Sequence, residues 1–177
     1  MNNKAVLFDR DGVINVAFYD NNISYPPKTI NEVKLNVGII DSIKKIKKAG
    51  FKTFVITNQP DVDRGNTTKE SVDEINNYIL SMIDIDKLYI CYSSNNNHPD
   101  RKPNPGMILK AKKEFDLDLS QSFVIGDRET DILAGKACNC KTILMIPNNK
   151  IIDKKLADYN VENINQATNI ILETNQL

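Results

Sequence analysis

The stretch VLFDRDGVIN, residues 6–15, determines how the rest of the chain is interpreted. Three apolar residues lead directly into Asp9, and Asp11 follows after a single residue. Two carboxylates this close raise each other's pKa and resist burial, so a cation or a reaction is needed to account for them. Taken alone, the segment also fits an ordinary turn built on the Asp11-Gly12 pair.

Composition limits the class of protein. The chain has 177 residues, with 23 Lys plus Arg and 23 Asp plus Glu. This length fits one domain over residues 1–177, and zero net charge gives no general attraction for nucleic acid. Apolar runs stay far below the ~20 residues of a membrane span, and the N-terminus has no signal-peptide pattern. Three cysteines do not form a disulfide framework. We expect a cytoplasmic monomer or small homo-oligomer that binds neither nucleic acid nor membrane.

Short apolar segments alternate with amphipathic ones along the chain. Strands are predicted at residues 5–9, 51–58, 87–92, 122–127 and 141–146, and helices at 37–50, 67–83, 105–115, 129–138 and 163–174. This alternation predicts an α/β fold, a Rossmann-like parallel sheet flanked by helices and joined by right-handed crossovers. One helix and a loop fill the span between Asp9 and Thr57, so no large cap domain is expected.

Polar residues follow the predicted strands at the edge where such sheets place their working groups. Asp9, Thr57 and Asp127 end the first, second and fourth strands, and Lys102 lies in the loop after the third. Because the carboxyl ends of parallel strands share one edge, these side chains are expected to converge on one crevice. Asp131, one helical turn after Asp127, is expected to cap or orient the Asp127 loop.

This set of side chains suits phosphoryl chemistry. Aspartates at strand ends favour Mg²⁺, and a lysine with a hydroxyl can stabilise the oxygens of a phosphoryl group. One aspartate can attack phosphorus while another acts as general acid and base. The chain has a single histidine and lacks the G-x-S-x-G, G-x-G-x-x-G and P-loop patterns, which argues against a serine hydrolase, a dinucleotide site and a P-loop.

Four motifs, in order over roughly residues 4–146, resemble those of the haloacid dehalogenase (HAD) superfamily of phosphatases. They are D-x-D-G at Asp9–Gly12, a strand-ending Thr57, Lys102, and G-D-x-x-x-D at Gly126–Asp131. The segments FDRDGVIN, TNQP, Arg64-Gly65 and RKPNPGM are similar to the subfamily that holds D-glycero-D-manno-heptose 1,7-bisphosphate phosphatase and histidinol-phosphate phosphatase. The resemblance implies a small phosphorylated metabolite as partner, with a sugar phosphate of carbohydrate metabolism as the expected one.

The same resemblance implies roles for single residues. Those of the reaction itself are Asp9 as nucleophile, Asp11 as general acid and base, and Thr57 and Lys102 as groups that stabilise the phosphoryl group. Those that bind substrate are Asn58, Gln59, Arg64 and Arg101. Those that hold Mg²⁺ are Asp9, the backbone carbonyl of Asp11, and Asp127.

These motifs do not decide between the substrates of the subfamily. VIN after the first motif and PGM after Lys102 favour the heptose branch, whereas Arg128 favours the histidinol branch. A phosphatase acting on nucleic-acid 3′ ends fits poorly with zero net charge and few aromatic residues. A non-catalytic phosphate- or metal-binding module of the same fold is the alternative of another class, although the complete motif set argues against it.

One loop departs from the subfamily pattern, which carries a zinc loop of the form C-x-H…C-x-C. The segment CYSSNNNHPDRK offers Cys91, Ser93, His98 and Asp100 at those positions. A structural zinc site needs four N or S ligands, so a metal-free loop is predicted here. The segment Tyr25–Pro27 is expected to border the pocket, as small lid loops do in this family.

Overall fold

The computed structural model describes residues 3–20, 23–146 and 155–175, so the one-domain prediction over residues 1–177 reaches beyond these ranges. The strands are β1 Lys4–Phe8, β2 Phe18–Asp20, β3 Ile23–Tyr25, β4 Phe51–Asn58, β5 Lys87–Cys91, β6 Phe123–Gly126, β7 Lys141–Met145 and β8 Tyr159–Val161. The α-helices are α1 Ile39–Lys48, α2 Lys69–Met82, α3 Gly106–Phe115, α4 Glu129–Lys136 and α5 Ile164–Thr174. None of these helices has the length and apolar character that a bilayer crossing requires.

Six strands form one parallel sheet in the order β5-β4-β1-β6-β7-β8. The chain moves outward from β1 through β4 to β5, and then returns to the other side of β1 with β6. Strand order therefore reverses between β1 and β6, and in doubly wound sheets a crevice opens at such a point beyond the carboxyl ends of the strands. The α/β prediction without a large cap domain is confirmed for the described chain.

Strand β1 is buried on both faces, which explains its unbroken apolar sequence. Its residues from Ala5 to Phe8 are all 0% exposed. Val6 and Phe8 pack in the core cluster that holds the buried faces of α1, α2 and α5. Ala5 and Leu7 pack in the cluster on the opposite face, with α3 and Ala134 of α4. Burial on both faces holds the end of β1, and so the start of the first motif, at the centre of the sheet.

Two features were absent from the prediction. Strands β2 and β3 form an antiparallel hairpin within the segment between β1 and α1. The polar pair Asn21-Asn22 between two short apolar stretches was the sequence signal for a hairpin. Strand β8 adds a parallel edge next to β7, and its three residues are too few to show a period.

An acidic side chain holds strand β4 near its beginning. Oδ2 of Asp86 accepts hydrogen bonds from the Thr53 amide at 2.8 Å and from the Thr53 hydroxyl at 3.1 Å. Burial alone would raise the pKa of Asp86, but the Thr53 donors together with Lys47 and Lys52 outweigh burial and lower the pKa. Since Thr53 is fully buried, its amide depends on this acceptor.

Replacement of Asp86 is expected to weaken the fold in a pH-dependent way. Asp86→Ala should lower the free energy of unfolding by about 1–3 kcal/mol at neutral pH, because the buried Thr53 amide loses its acceptor. Since the folded-state pKa is lowered, the stabilisation is present above the unfolded pKa of about 4 and is lost as the pH falls through the folded value. Urea unfolding of wild type and variant between neutral pH and pH of about 3 measures both effects.

The control is Asp84→Ala, which removes an exposed carboxylate that also pairs with Lys47. Exposed ion pairs contribute little, so a loss of less than about 1 kcal/mol is expected. Equal losses for the two variants, at every pH, would contradict the role given to Asp86.

Candidate active site

The ammonium group of Lys102 lies at the centre of the crevice. Lys102 Nζ is 2.7 Å from Asp9 Oδ1 and 2.6 Å from Asp131 Oδ1, and it donates to the Ile56 carbonyl at 2.8 Å. These three acceptors use the three protons of the ammonium group. Burial alone would lower the pKa of Lys102, but Asp131 and Asp9 outweigh burial and hold the pKa above its usual range. Lys102 is therefore a fixed positive charge beside Asp9.

Asp9 is the first residue after the end of β1. Its backbone amide donates to the Ile125 carbonyl of β6 at 2.8 Å, which continues the strand pairing by one residue. Burial raises the pKa of Asp9 to about 6; the Lys102 charge opposes this rise, and Asp131 and Asp11 add to it. A positive charge brought next to Asp9 would favour its ionised form.

Two glycines allow the acids to approach one another. Gly12 has φ +101°, and a Cβ built on it would lie 2.5 Å from Asp127 Oδ2. A Cβ on Gly126 would lie 2.1 Å from Cβ of Asp131. The glycines of the D-x-D-G and G-D motifs thus leave the space that Asp127 and Asp131 occupy.

Carboxylate oxygens of Asp9, Asp127 and Asp131 lie within 4.8 Å of one another. All the buried charged side chains among the described residues belong to this site: four acids, Asp9, Asp11, Asp127 and Asp131, and two bases, Arg10 and Lys102. With all six ionised, the site carries two net negative charges. Hard oxygen ligands together with a net charge of minus two fit a divalent cation such as Mg²⁺.

Asp131 makes two contacts, of which the sequence analysis predicted one. Its Oδ2 accepts the Arg128 amide at 3.1 Å, which caps helix α4 as expected. Its Oδ1 also pairs with Lys102, a contact that the sequence analysis missed. The G-D-x-x-x-D spacing was the available signal, since it places a second acid one turn after the first.

Asp11 turns its carboxylate toward a separate set of donors. Oδ1 accepts from Arg10 and from Asn15 Nδ2, the latter at 3.0 Å, and Oδ2 accepts from Gln59 Nε2 at 2.8 Å. Burial alone would raise the pKa of Asp11, but Arg10 outweighs burial, with help from the two amides, and lowers the pKa. The Asp11 side chain is not in the cluster of carboxylates that could share a cation, which is compatible with a metal role for its backbone carbonyl only.

Polar residues at the end of β4 and directly after it form hydrogen bonds with Asp11 and Lys102. Gln59 Nε2 also donates to the hydroxyl of Thr57 at 2.9 Å, and both residues are buried. The Asn58 side chain donates to the Lys102 carbonyl at 3.0 Å and accepts the Lys102 amide at 3.1 Å. Asn58 therefore orients the loop that carries Lys102.

A cleft of about 240 Å³ lies over these groups. Its lining includes Asp9, Asp11, Asn58, Gln59 and Lys102, together with Arg64, Arg128, Tyr25 and Pro26. Tyr25 belongs to β3, so the hairpin missed by the sequence analysis brings Tyr25 and Pro26 of the Tyr25–Pro27 segment to the cleft, which the segment was expected to border. Arg64 pairs with Asp61 at 3.4 Å, and both lie at the opening of the cleft.

Arg101 borders a neighbouring cleft that shares Asn58, Lys102 and Arg128 with the first. Its guanidinium donates to the Ser93 carbonyl at 3.0 Å and to the Asn96 side chain at 3.2 Å. The structure thus places Arg101 beside the reaction centre and not in the cleft above Asp9.

The loop in the position of the zinc loop is held by hydrogen bonds. Cys91 Sγ lies 3.6 Å from His98 Nδ1, and that nitrogen accepts the Asp100 amide at 3.2 Å. The Asp100 carboxylate pairs with Lys110. The absence of zinc remains a prediction.

Known proteins resemble the chain in sequence and in fold. Residues 100–162 match the family model described as HAD-hydrolase-like. The chain is 33% identical over 156 residues to D-glycero-beta-D-manno-heptose-1,7-bisphosphate 7-phosphatase of Helicobacter pylori, covering 84% of this chain and 87% of that protein. It is 33% identical over 163 residues to D-glycero-alpha-D-manno-heptose-1,7-bisphosphate 7-phosphatase of Burkholderia mallei, with coverages of 82% and 81%.

One solved structure with a similar fold is D,D-heptose 1,7-bisphosphate phosphatase from B. bronchiseptica, complexed with magnesium and phosphate. It superposes with a TM-score of 0.77 over 97% of this chain and 99% of that one, at 20% identity. At this identity the likeness establishes the fold.

The contact between Gly12 and Asp127 is testable by substitution. Gly12→Ala should lower the free energy of unfolding by about 1–2 kcal/mol for the positive φ, and by at least about 1 kcal/mol more because the new methyl group overlaps the Asp127 carboxylate. Gly65→Ala is the matched control, since Gly65 has φ +73° and open space around its Cβ position. Urea unfolding measures both variants, and equal losses would show that the overlap has no effect.

Proposed function

This chain belongs to the haloacid dehalogenase (HAD) superfamily of phosphatases, and from that membership we propose that it hydrolyses D-glycero-D-manno-heptose 1,7-bisphosphate or a closely similar sugar phosphate with Mg²⁺ as cofactor. The observation that carries the proposal is the meeting of Asp9, Lys102 and Asp127 at the bottom of an open cleft. A nucleophile, a fixed cation and a set of cation ligands are what transfer of a phosphoryl group to an aspartate requires.

The residues that would hold Mg²⁺ are Asp9, Asp127 and the backbone carbonyl of Asp11. A Mg²⁺ ion held there would supply positive charge that neutralises phosphoryl oxygens. Asp131 already accepts from Lys102 and from the Arg128 amide, so its proposed role is to orient Lys102. The net charge of minus two among the buried side chains supports a divalent ion at this place.

In the first half of the reaction, an Asp9 carboxylate oxygen attacks phosphorus while the ester bond to the sugar oxygen breaks. Asp11 must take up a proton before this step, because Arg10 lowers its pKa in the substrate-free protein, and it gives that proton to the sugar oxygen, which leaves as an alcohol. Lys102 and the Thr57 hydroxyl stabilise the charge on the transferred group. In the second half, ionised Asp11 takes a proton from water as the water attacks phosphorus and the bond to Asp9 breaks. The balance is ester plus water to alcohol plus phosphate, with both aspartates restored.

The sugar bisphosphate is supported by the names of the relatives and by the charge around the cleft. Relatives at 33% identity are named for the beta and for the alpha heptose bisphosphate, so the anomer is left to experiment. Arg64 and Arg128 border the cleft, and Arg101 borders its neighbour. These guanidinium groups suit a second phosphate some distance from the reacting one.

Histidinol phosphate is the second candidate. Arg128 directly follows Asp127, which is the sequence feature that favours the histidinol branch, and it lines the cleft. Both candidates use the same reaction, and the two substrates differ only in the group that leaves.

Phosphate release from a panel of phosphomonoesters tests the proposed function. The panel contains both anomers of D-glycero-D-manno-heptose 1,7-bisphosphate, histidinol phosphate and p-nitrophenyl phosphate, each with Mg²⁺ or with a chelator. We expect turnover of one heptose anomer with Mg²⁺, and a loss of at least about 10³-fold in Asp9→Asn because the nucleophile is gone. Turnover of histidinol phosphate alone would assign the second candidate. Mg²⁺-independent release, or an active Asp9→Asn variant, would contradict the mechanism.

Binding of Mg²⁺ is testable without turnover. Mg²⁺ at about 100 times its Kd should stabilise the folded protein by about 2.7 kcal/mol, measured as a rise in the thermal unfolding midpoint. Asp127→Asn should abolish this rise, because it replaces a charged ligand by a neutral amide of the same shape. Asp41→Asn makes the same charge change on the surface of α1 and should leave the rise intact. Equal rises in all three proteins would contradict the metal site.

A further inference from the structure

Arg10 lies between the two aspartates of the D-x-D-G motif, and the roles assigned so far do not include it. Its side chain is almost fully enclosed, with 1% of the residue exposed. Arginine is rarely buried to this extent, because its charge must then be compensated by close partners. The partners of Arg10 therefore indicate what the residue does.

The guanidinium of Arg10 contacts Asp11 on one side and helix α2 on the other. Nε donates to Asp11 Oδ1 at 3.1 Å, and Nη2 donates to Oδ1 at 3.0 Å and to Oδ2 at 2.8 Å. Nη1 donates to Oδ1 of Asn76 at 2.7 Å. A two-pronged contact of this kind sets the plane of the carboxylate as well as its position.

Asn76 is a buried residue of α2 that contacts Arg10 and lies outside the cleft lining. A buried amide on a helix is costly unless it has a partner, and its Nδ2 finds none among the described residues. Its carbonyl oxygen holds the outer nitrogen of Arg10. The contact restrains rotation of the guanidinium, so the plane presented to Asp11 is set from outside the reaction centre.

The other partners of Asp11 differ in their position relative to the cleft. Asn15 is fully buried, whereas Gln59 lines the cleft and has the Thr57 hydroxyl as a second partner. Both carboxylate oxygens of Asp11 are occupied by protein donors. A leaving oxygen in the cleft can reach Oδ2 only in place of Gln59, while the contacts with Arg10 persist on the enclosed side.

We propose that Arg10, held by Asn76 of helix α2, is the positioning residue that orients the Asp11 carboxylate toward the leaving oxygen. The inference rests on the proposed function, because Asp11 needs this orientation only if it exchanges a proton with the substrate. The proton moves as described above: from Asp11 to the departing oxygen as the ester bond breaks, and from water back to Asp11 in the second half. Arg10 itself exchanges no proton and touches no reacting atom.

A purely structural role for Arg10 predicts a different response to the leaving group. An alkoxide from a sugar must be protonated as it departs, whereas p-nitrophenolate departs without a proton. Misplacement of Asp11 therefore slows cleavage of the sugar ester selectively. General damage to the site, or to the binding of phosphate, slows the cleavage of both esters alike.

The experiment uses Asn76→Leu and Arg10→Lys in single-turnover assays with enzyme in excess over substrate and Mg²⁺ saturating. Release of the alcohol or phenol then reports the first half of the reaction alone. The substrates are the sugar phosphate that wild type cleaves fastest in the panel and p-nitrophenyl phosphate. Sugar release should fall about tenfold in Asn76→Leu and about 100-fold in Arg10→Lys, neither loss exceeding the full general-acid contribution of about 10²–10⁴-fold, and p-nitrophenolate release should change less than about threefold.

Ile79→Ala is the matched control, since it truncates a buried apolar side chain of the same helix that cannot hydrogen-bond to Arg10. It should reduce the free energy of unfolding and leave the ratio of the two rates unchanged. Equal losses on both esters, no loss on either, or the same selectivity in Ile79→Ala would overturn the inference. A wild-type protein that cleaves neither ester would instead overturn the proposed function itself. Urea unfolding of each variant identifies any that fail to fold, and Asn76→Leu then decides in place of Arg10→Lys.

Discussion

The Lys102 ammonium group is the interaction on which the site depends. Its three protons go to Asp9 after β1, to Ile56 in β4 and to Asp131 in α4, so one cation joins two central strands and a helix to the loop after β5. Removing one partner of a buried ion pair typically costs about 3–5 kcal/mol, because the other charge stays buried without compensation. The same contact that closes the carboxyl edge of the sheet places a positive charge beside the proposed nucleophile.

All buried charges of the described chain lie in this site, and the other buried residues are apolar or carry uncharged polar side chains. A site with two net negative charges is costly to assemble, and the two-sided burial of β1 supplies hydrophobic stabilisation at the same place. Binding of a divalent cation would relieve the remaining repulsion. Stability and the proposed binding of Mg²⁺ would therefore be linked through the same carboxylates.

The cleft above these carboxylates is bordered by short segments. Tyr25 of the β2–β3 hairpin, the Asp61–Arg64 turn and Arg128 form its rim. A rim of this kind leaves room for a substrate that extends beyond the reacting phosphate, and its guanidinium groups favour an anionic one. In this arrangement chemistry and recognition would be separate: the strand ends of the sheet carry the proposed reaction, and the surrounding loops would select the leaving group.

The sequence by itself determined the order of elements, the parallel sheet and the strand ends that carry Asp9, Thr57 and Asp127, because a 2.0 or 3.6 residue period and a motif at each strand end are local signals. It did not determine the pairing of strands β2 and β3, strand β8, the pairing of Asp131 with Lys102 or the burial of Arg10 against Asn76. These contacts join residues from about 30 to 66 positions apart or rest on three-residue strands. Only the tertiary structure decided them, because a charged side chain finds its partner through the packing of distant elements, and no local period records that partner.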